Sequence, residues 1–204
     1  LALKGFSMWS VFDRIQPHLH GATASSVWDA KLAKYEMGGE VHAYSPAYKD
    51  DDITALSDLV DHLSFNSIAQ WQLYHQQLTD KGVSVGLRVN PENQEADTPL
   101  YDPCAPGSRL GIRAAQLAGV DLNGIEGFHV HNLCECDSFA TERTLLAIEE
   151  KFSPWLGQLK WLNLGGGHLM TREGYNVEHL IGPLKALKPG YYTHPTAQAN
   201  RSEW

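Results

Sequence analysis

Three short segments carry residues with the types and spacing to do chemistry together. Lys4 stands in the apolar run Leu1-Ala2-Leu3-Lys4-Gly5-Phe6. A lysine buried in such a strand is costly to keep as a cation, so desolvation should favour the free amine, the form that attacks a carbonyl to give a Schiff base. Gly165-Gly166-Gly167 follows the apolar stretch Trp161-Leu162-Asn163-Leu164. Consecutive glycines let backbone N–H groups approach a phosphate; the alternative is an ordinary tight turn from strand to helix. His129-Val130-His131 has strand alternation, which puts both imidazoles on one side, where one could stack on an aromatic group. The alternative is a pair of satisfied core histidines. An amine, a stacking ring and a phosphate cradle together are what pyridoxal phosphate requires of a protein.

Two further segments invite other readings. His129-Val130-His131-Asn132-Leu133-Cys134-Glu135-Cys136 reads H-x-H-x-x-C-x-C and raises a structural zinc site, although the spacing is not that of a finger or ribbon. The preferred expectation is no metal. Asp97–Gly111, rich in Pro and Gly, reads as a long irregular excursion after a strand, which in a compact domain is often functional.

The elements that must position these groups recur along the chain. Seven short apolar or β-branched runs, at 1–5, 22–25, 40–45, 62–66, 83–90, 127–132 and 160–164, are mostly separated by segments of helical period. The helical stripes are Met8/Val11/Phe12/Ile15/Leu19, Ile53/Leu56/Val60, Ile68/Trp71/Leu78, Leu145/Ile148/Phe152 behind a Ser138 N-cap, and Val177/Leu180/Ile181/Leu184/Leu187. Repeated strand–helix units imply a parallel α/β fold. The first run is not followed by Gly-x-Gly-x-x-Gly, and polar residues (Lys4, Ser25, Ser45, Asn66, Arg88, Asn90, His131) gather at the ends of several runs. Both features favour a (β/α)8 TIM-type barrel over an open doubly wound sheet. About seven βα units are present, so the barrel is expected to be incomplete, over residues 1–188, with 189–204 an irregular tail.

Composition narrows the function classes. The 204 residues are 43% hydrophobic with a formal charge of -8, which disfavours nucleic-acid binding by bulk electrostatics. Three cysteines, two of them at 134 and 136, do not make a disulfide framework, and a reducing cytoplasm is expected. No run reaches the length of a membrane span, and no signal peptide is visible.

Six stretches resemble one family: residues 1–10 (Leu-Ala-Leu-Lys-Gly-Phe-Ser-Met-Trp-Ser), 23–26 (Thr-Ala-Ser-Ser), 38–49, 101–111 (Tyr-Asp-Pro-Cys-Ala-Pro-Gly-Ser-Arg-Leu-Gly), 127–135 and 161–172. They are similar to carboxynorspermidine/carboxyspermidine decarboxylase, a member of the alanine-racemase-like class of pyridoxal-phosphate (fold-type III) enzymes. The resemblance implies a pyridoxal 5'-phosphate cofactor, a polyamine-like amino-acid substrate and a homodimer. It implies Lys4 as the Schiff-base lysine and His131 as the ring-stacking histidine. Gly165, Gly166 and Gly167 would bind the phosphate, and Arg88 would lie near the cofactor. Ser25 and Cys134 are weaker candidates for lining the site. The family's eighth strand, its Glu-Pro-Gly turn and its C-terminal β domain are not recognisable in Pro189–Trp204, so the chain is expected to be a fragment. Three rivals remain at this level: a cofactor-free Schiff-base lyase using Lys4, a non-catalytic pyridoxal-phosphate-binding barrel protein, and a structural zinc protein using His129, His131, Cys134 and Cys136.

Overall fold

The structure is a computed structural model and describes residues 1–187; the expected irregular tail at 189–204 lies outside the described residues. The chain divides into two compact units, Leu1–Leu87 and a second beginning at Arg88.

The first unit is built on parallel strands β1 (Gly21–Ala24), β2 (Glu40–Tyr44), β3 (His62–Phe65) and the body of β4 (Ser84–Val89), paired in that order. Each strand is followed by a helix that a polar residue starts. The Ser26 hydroxyl accepts the Asp29 N–H at the head of α2 (Val27–Leu32), and Ser67 accepts the Gln70 N–H at the head of α4 (Ile68–Thr79). At α3 (Asp50–Leu56), three aspartates fill the first turn, and the Asp52 carboxylate accepts the Lys49 N–H. Leu63 and Phe65 of β3 are fully buried with Ile53 and Leu56 of α3, and Phe65 meets the rings of Tyr48 and Tyr74. Strand alternation sends His62 and Ser64 to the opposite face.

Two expectations in this unit need correction. The stripe from Met8 to Leu19 is not one helix. It is a 3-10 turn (Trp9–Val11), one turn of α-helix, α1 (Phe12–Ile15), and a second 3-10 turn containing Pro17. Met8 and Trp9 are exposed; Phe12 alone of these three elements is fully buried. Proline cannot donate to a helical ladder and its ring crowds the preceding turn, so the pattern breaks there. The run at 1–5 is also less than a strand. Ala2 forms one parallel bridge to Thr23, with Leu1 O accepting Thr23 N–H at 2.7 Å and Leu3 N–H reaching Thr23 O at 3.2 Å. The chain then turns, and Gly5 and Phe6 donate back to Ala2 O. Lys4 sits in that turn and is exposed.

The second unit takes up the end of β4, then a short helix α5 (Ala114–Leu117), β5 (Gly127–Val130), α6 (Ser138–Leu156), β6 (Trp161–Asn163) and α7 (Val177–Ala186). Strands β5 and β6 are parallel. Phe128 of β5 and Phe152 of α6, both fully buried, pack edge to face at 5.8 Å and join strand to helix. The N-cap of α6 is Asp137, whose carboxylate accepts the Ala140 N–H at 3.0 Å; Ser138, expected in that role, is the first helical residue. The parallel α/β expectation therefore holds, with six strands among the described residues and the first of the seven runs reduced to a bridge.

The excursion at 97–111 contains one 3-10 turn (Pro99–Tyr101) and is otherwise irregular. Asn90, 2% exposed, anchors it: its side-chain amide donates to Pro103 O and Leu110 O. Ile112 then bridges in parallel to Val89, returning the chain to the end of β4. Burial pushes the Cys104 thiol inside this loop up to about 11, which keeps it an inert packing group.

Candidate functional site

The C-terminal ends of β4, β5 and β6 bring together three of the groups expected to act. Arg88, near the end of β4, is 5% exposed, and its Nη2 donates to the carbonyl of His131 at 2.7 Å. His131 follows β5, half-buried, with its ring 5.8 Å from that of His129 and tilted by 52°. The two imidazoles therefore project to one side, as strand alternation requires.

The glycine turn lies against this histidine. Gly165 has φ +68, and a Cβ there would stand 2.6 Å from Val130 O and 2.8 Å from His131 Cγ. Only glycine permits both the left-handed conformation and that approach. Gly167 has φ +100, and a Cβ there would overlap the Leu133 carbonyl, while its own carbonyl accepts the Cys136 N–H at 2.8 Å. Gly166 differs: a Cβ at that position meets no described heavy atom within 4 Å. The turn is thus clamped at both ends to the segment after β5 and open in the middle. The open centre, flanked by a half-buried imidazole, suits an aromatic group that carries a phosphate.

Asn132 and Asn93 were not among the sequence candidates. The Asn132 amide nitrogen donates to Asn93 O at 3.1 Å and to Thr144 Oγ1 at 2.9 Å, and Asn93 donates to Thr144 Oγ1 and to Glu95 Oε1. Glu95 in turn receives a two-pronged pair from Arg143, at 2.8 and 2.6 Å. This network ties the residue after His131 to helix α6. Asn132 lies two residues beyond the end of β5, a weaker positional signal than that of Asn66 and Asn90, which directly follow β3 and β4. His168, the residue after the glycine turn, lies near Thr141 Oγ1 and Tyr175 OH, and desolvation holds it below its ordinary imidazole value.

The zinc reading does not gather its ligands. Among the described residues, His129, His131, Cys134 and Cys136 do not form a group of three or more with ligand atoms within 4.8 Å. Cys134 is exposed, and the buried Cys136 directs its Sγ to the carbonyls of Cys134 and Glu95, its thiol pushed up chiefly by burial. Ser25 is exposed, its N–H donating to Asp29, a local turn contact.

Lys4 belongs to the first unit. The Ala2–Thr23 bridge sets it level with the C-terminal end of β1, as a site residue of a parallel barrel requires. The burial from which a lowered amine basicity was expected is not found: Lys4 is exposed in a turn. The same end of this unit carries Tyr44, whose hydroxyl donates to Asn66 Oδ1 at 3.0 Å.

The Arg88 contact gives a first prediction. Replacing Arg88 by Met removes a buried charge-assisted donor and should destabilise the second unit by about 2–4 kcal/mol in urea unfolding. An unchanged midpoint would show that the bond to His131 O contributes nothing.

No family model matches the chain. It is 51% identical over 184 residues to carboxyaminopropylagmatine decarboxylase of Synechocystis sp., covering 90% of this chain and 48% of that protein. It is 47% identical over 191 residues to a carboxynorspermidine/carboxyspermidine decarboxylase of Campylobacter jejuni, covering 94% and 50%. Among solved structures, carboxynorspermidine decarboxylase complexed with norspermidine, from Campylobacter jejuni, superposes with a TM-score of 0.85 at 42% identity over 95% of this chain and 50% of that one. The chain spans about half the length of the curated relatives it matches. These relatives are named as decarboxylases, which are carboxy-lyases. Over the half of their length that it spans, the chain is similar in sequence and in fold to carboxynorspermidine/carboxyspermidine decarboxylases.

Proposed function

We propose that this chain is the cofactor-bearing part of a pyridoxal-phosphate-dependent decarboxylase that converts carboxynorspermidine or carboxyspermidine to norspermidine or spermidine, in polyamine biosynthesis. The observation that carries the reading is the glycine turn pressed against His131, with Arg88 bonded to the carbonyl of the same residue. Its open centre at Gly166 offers backbone to the phosphate, while Gly165 and Gly167 hold the turn in place. His131 would limit one face of the cofactor ring, and Arg88 fixes the backbone that carries His131. As the resemblance implies, Lys4 would supply the amine that holds the cofactor's aldehyde. When bound, the cofactor accepts the electron pair left by the departing carboxylate. As the resemblance implies, the enzyme would act as a homodimer, and the cysteine usage points to a reducing cytoplasm. No described helix is long and apolar enough to cross a membrane.

A second substrate reading has its own support. The relative at 51% identity is named for carboxyaminopropylagmatine, a substrate that carries a guanidinium group. CO2 release from the three carboxylated substrates, measured side by side, decides between them.

Borohydride reduction tests the cofactor assignment. Incubation with pyridoxal phosphate, reduction and peptide mass spectrometry should leave the cofactor's mass on the peptide containing Lys4. A substrate-mass adduct on Lys4 without cofactor would support a cofactor-free lyase instead. A cofactor adduct with no CO2 release from any of the three substrates would support a non-catalytic binding protein.

A further inference from the structure

The N-terminal ends of β2 and β3, opposite the ends that carry Tyr44 and Asn66, hold a cluster that decarboxylation does not use. Glu40 and His42 are two residues apart on β2 and so project from one face. His62 opens β3 and is the register partner of His42. The two imidazoles stack with centroids 4.1 Å apart and planes 21° apart, and His42 Nε2 lies 3.2 Å from Glu40 Oε2. One ligand atom from each of the three residues falls within 4.8 Å of the other two.

We propose that Glu40, His42 and His62 form a site for a divalent transition metal, with zinc the best match to two imidazoles and one carboxylate. Ligand atoms about 2.0–2.1 Å from a tetrahedral zinc stand roughly 3.3 Å from one another, and the His42–Glu40 pair already has that spacing. The His62 ring reaches the metal by rotating out of the stack. The backbone between the two β2 ligands is held from both sides: Val41 N–H donates to Asp61 Oδ2 at 2.8 Å, and Glu40 N–H donates to His20 O at 2.9 Å. A metal site needs such supporting bonds to orient its ligands. It also needs an entry path, and the Glu40 side chain, 42% exposed beside a nearly buried His42, provides one. Water supplies the fourth position. Active sites of parallel barrels gather at the opposite strand ends, so a metal here bears on stability rather than turnover. The metal therefore acts as a clip between β2 and β3.

Cobalt(II) titration of the chelator-stripped full chain tests the site. One equivalent should give visible bands of a four-coordinate nitrogen–oxygen site, with no near-ultraviolet thiolate charge transfer, and zinc should displace it. Saturating zinc should raise the thermal midpoint of the unsubstituted chain by several degrees. His62→Gln and Glu40→Gln should each weaken binding by about tenfold or more, whereas Cys134→Ser should leave it unchanged. Glu40 is partly exposed, so its variant keeps the test usable if the His62 variant fails to fold. The proposal is overturned by a thiolate band, by undiminished binding in the Glu40 variant, or by the absence of any spectral or thermal response in the unsubstituted chain.

Discussion

Gly167→Ala should destabilise the protein by about 3 kcal/mol or more and remove its affinity for phosphate, whereas Gly166→Ala should leave stability within about 0.5 kcal/mol. The contrast follows from two neighbouring positions in the same turn. At 167 the backbone is left-handed, and an added methyl overlaps the carbonyl of Leu133, which belongs to the segment joining β5 to α6. Neither the strand end nor the turn can retreat cheaply, because the Gly167 carbonyl accepts the Cys136 N–H and the Gly165 N–H donates to Asn163 Oδ1. At 166 a methyl enters open space. A phosphate seated against that backbone would meet the methyl instead, so Gly166→Ala should weaken the binding of pyridoxal phosphate without a matching loss of stability. Thermal unfolding and equilibrium dialysis on both variants separate the roles. If Gly166→Ala binds the cofactor as tightly as the unsubstituted chain, the turn is not the phosphate cradle.

The same segment shows what the sequence makes legible. The run at 127–132 becomes β5 (Gly127–Val130), and 160–164 becomes β6 (Trp161–Asn163), because consecutive buried apolar residues leave little choice of conformation. The pairing of His131 with the glycine turn was expected only through cofactor chemistry, and the close approach of Gly165 to His131 Cγ supplies its geometry. Local competition was harder to read. Helix α2 and the π-turn that extends it to Met37 have no place among the sequence stripes; only Ala30, Ala33 and Met37 of this stretch are buried, and alanine leaves a weak mark in an apolar pattern. Asp137 outcompetes Ser138 for the cap of α6 because its carboxylate reaches the Ala140 N–H from outside the first turn. The asparagines at 93 and 132 act through partners 12 to 51 residues away, which no local window reveals.

Lys4→Ala should abolish reductive trapping of pyridoxal phosphate and lower CO2 release by several orders of magnitude, while changing stability by no more than about 0.5 kcal/mol. The expected separation rests on what holds the segment. Leu3 is buried at 2% exposure, and the backbone bonds to Thr23 and Ala2 involve Leu1, Leu3, Gly5 and Phe6, so none of these anchors uses the lysine side chain. A structural lysine would show the reverse pattern, a lowered unfolding midpoint with trapping preserved. Lys4→Arg makes the test sharper. It keeps length and positive charge, and so preserves any purely electrostatic attraction for the phosphate. Its guanidinium stays protonated at all usable pH and cannot attack an aldehyde. If Lys4 acts as a nucleophilic amine, both variants lose the covalent adduct and keep the weak, non-covalent affinity that the glycine turn supplies, with the arginine variant binding the more tightly of the two. Should the arginine variant still release CO2 at the original rate, the amine at position 4 is not the group that carries the cofactor.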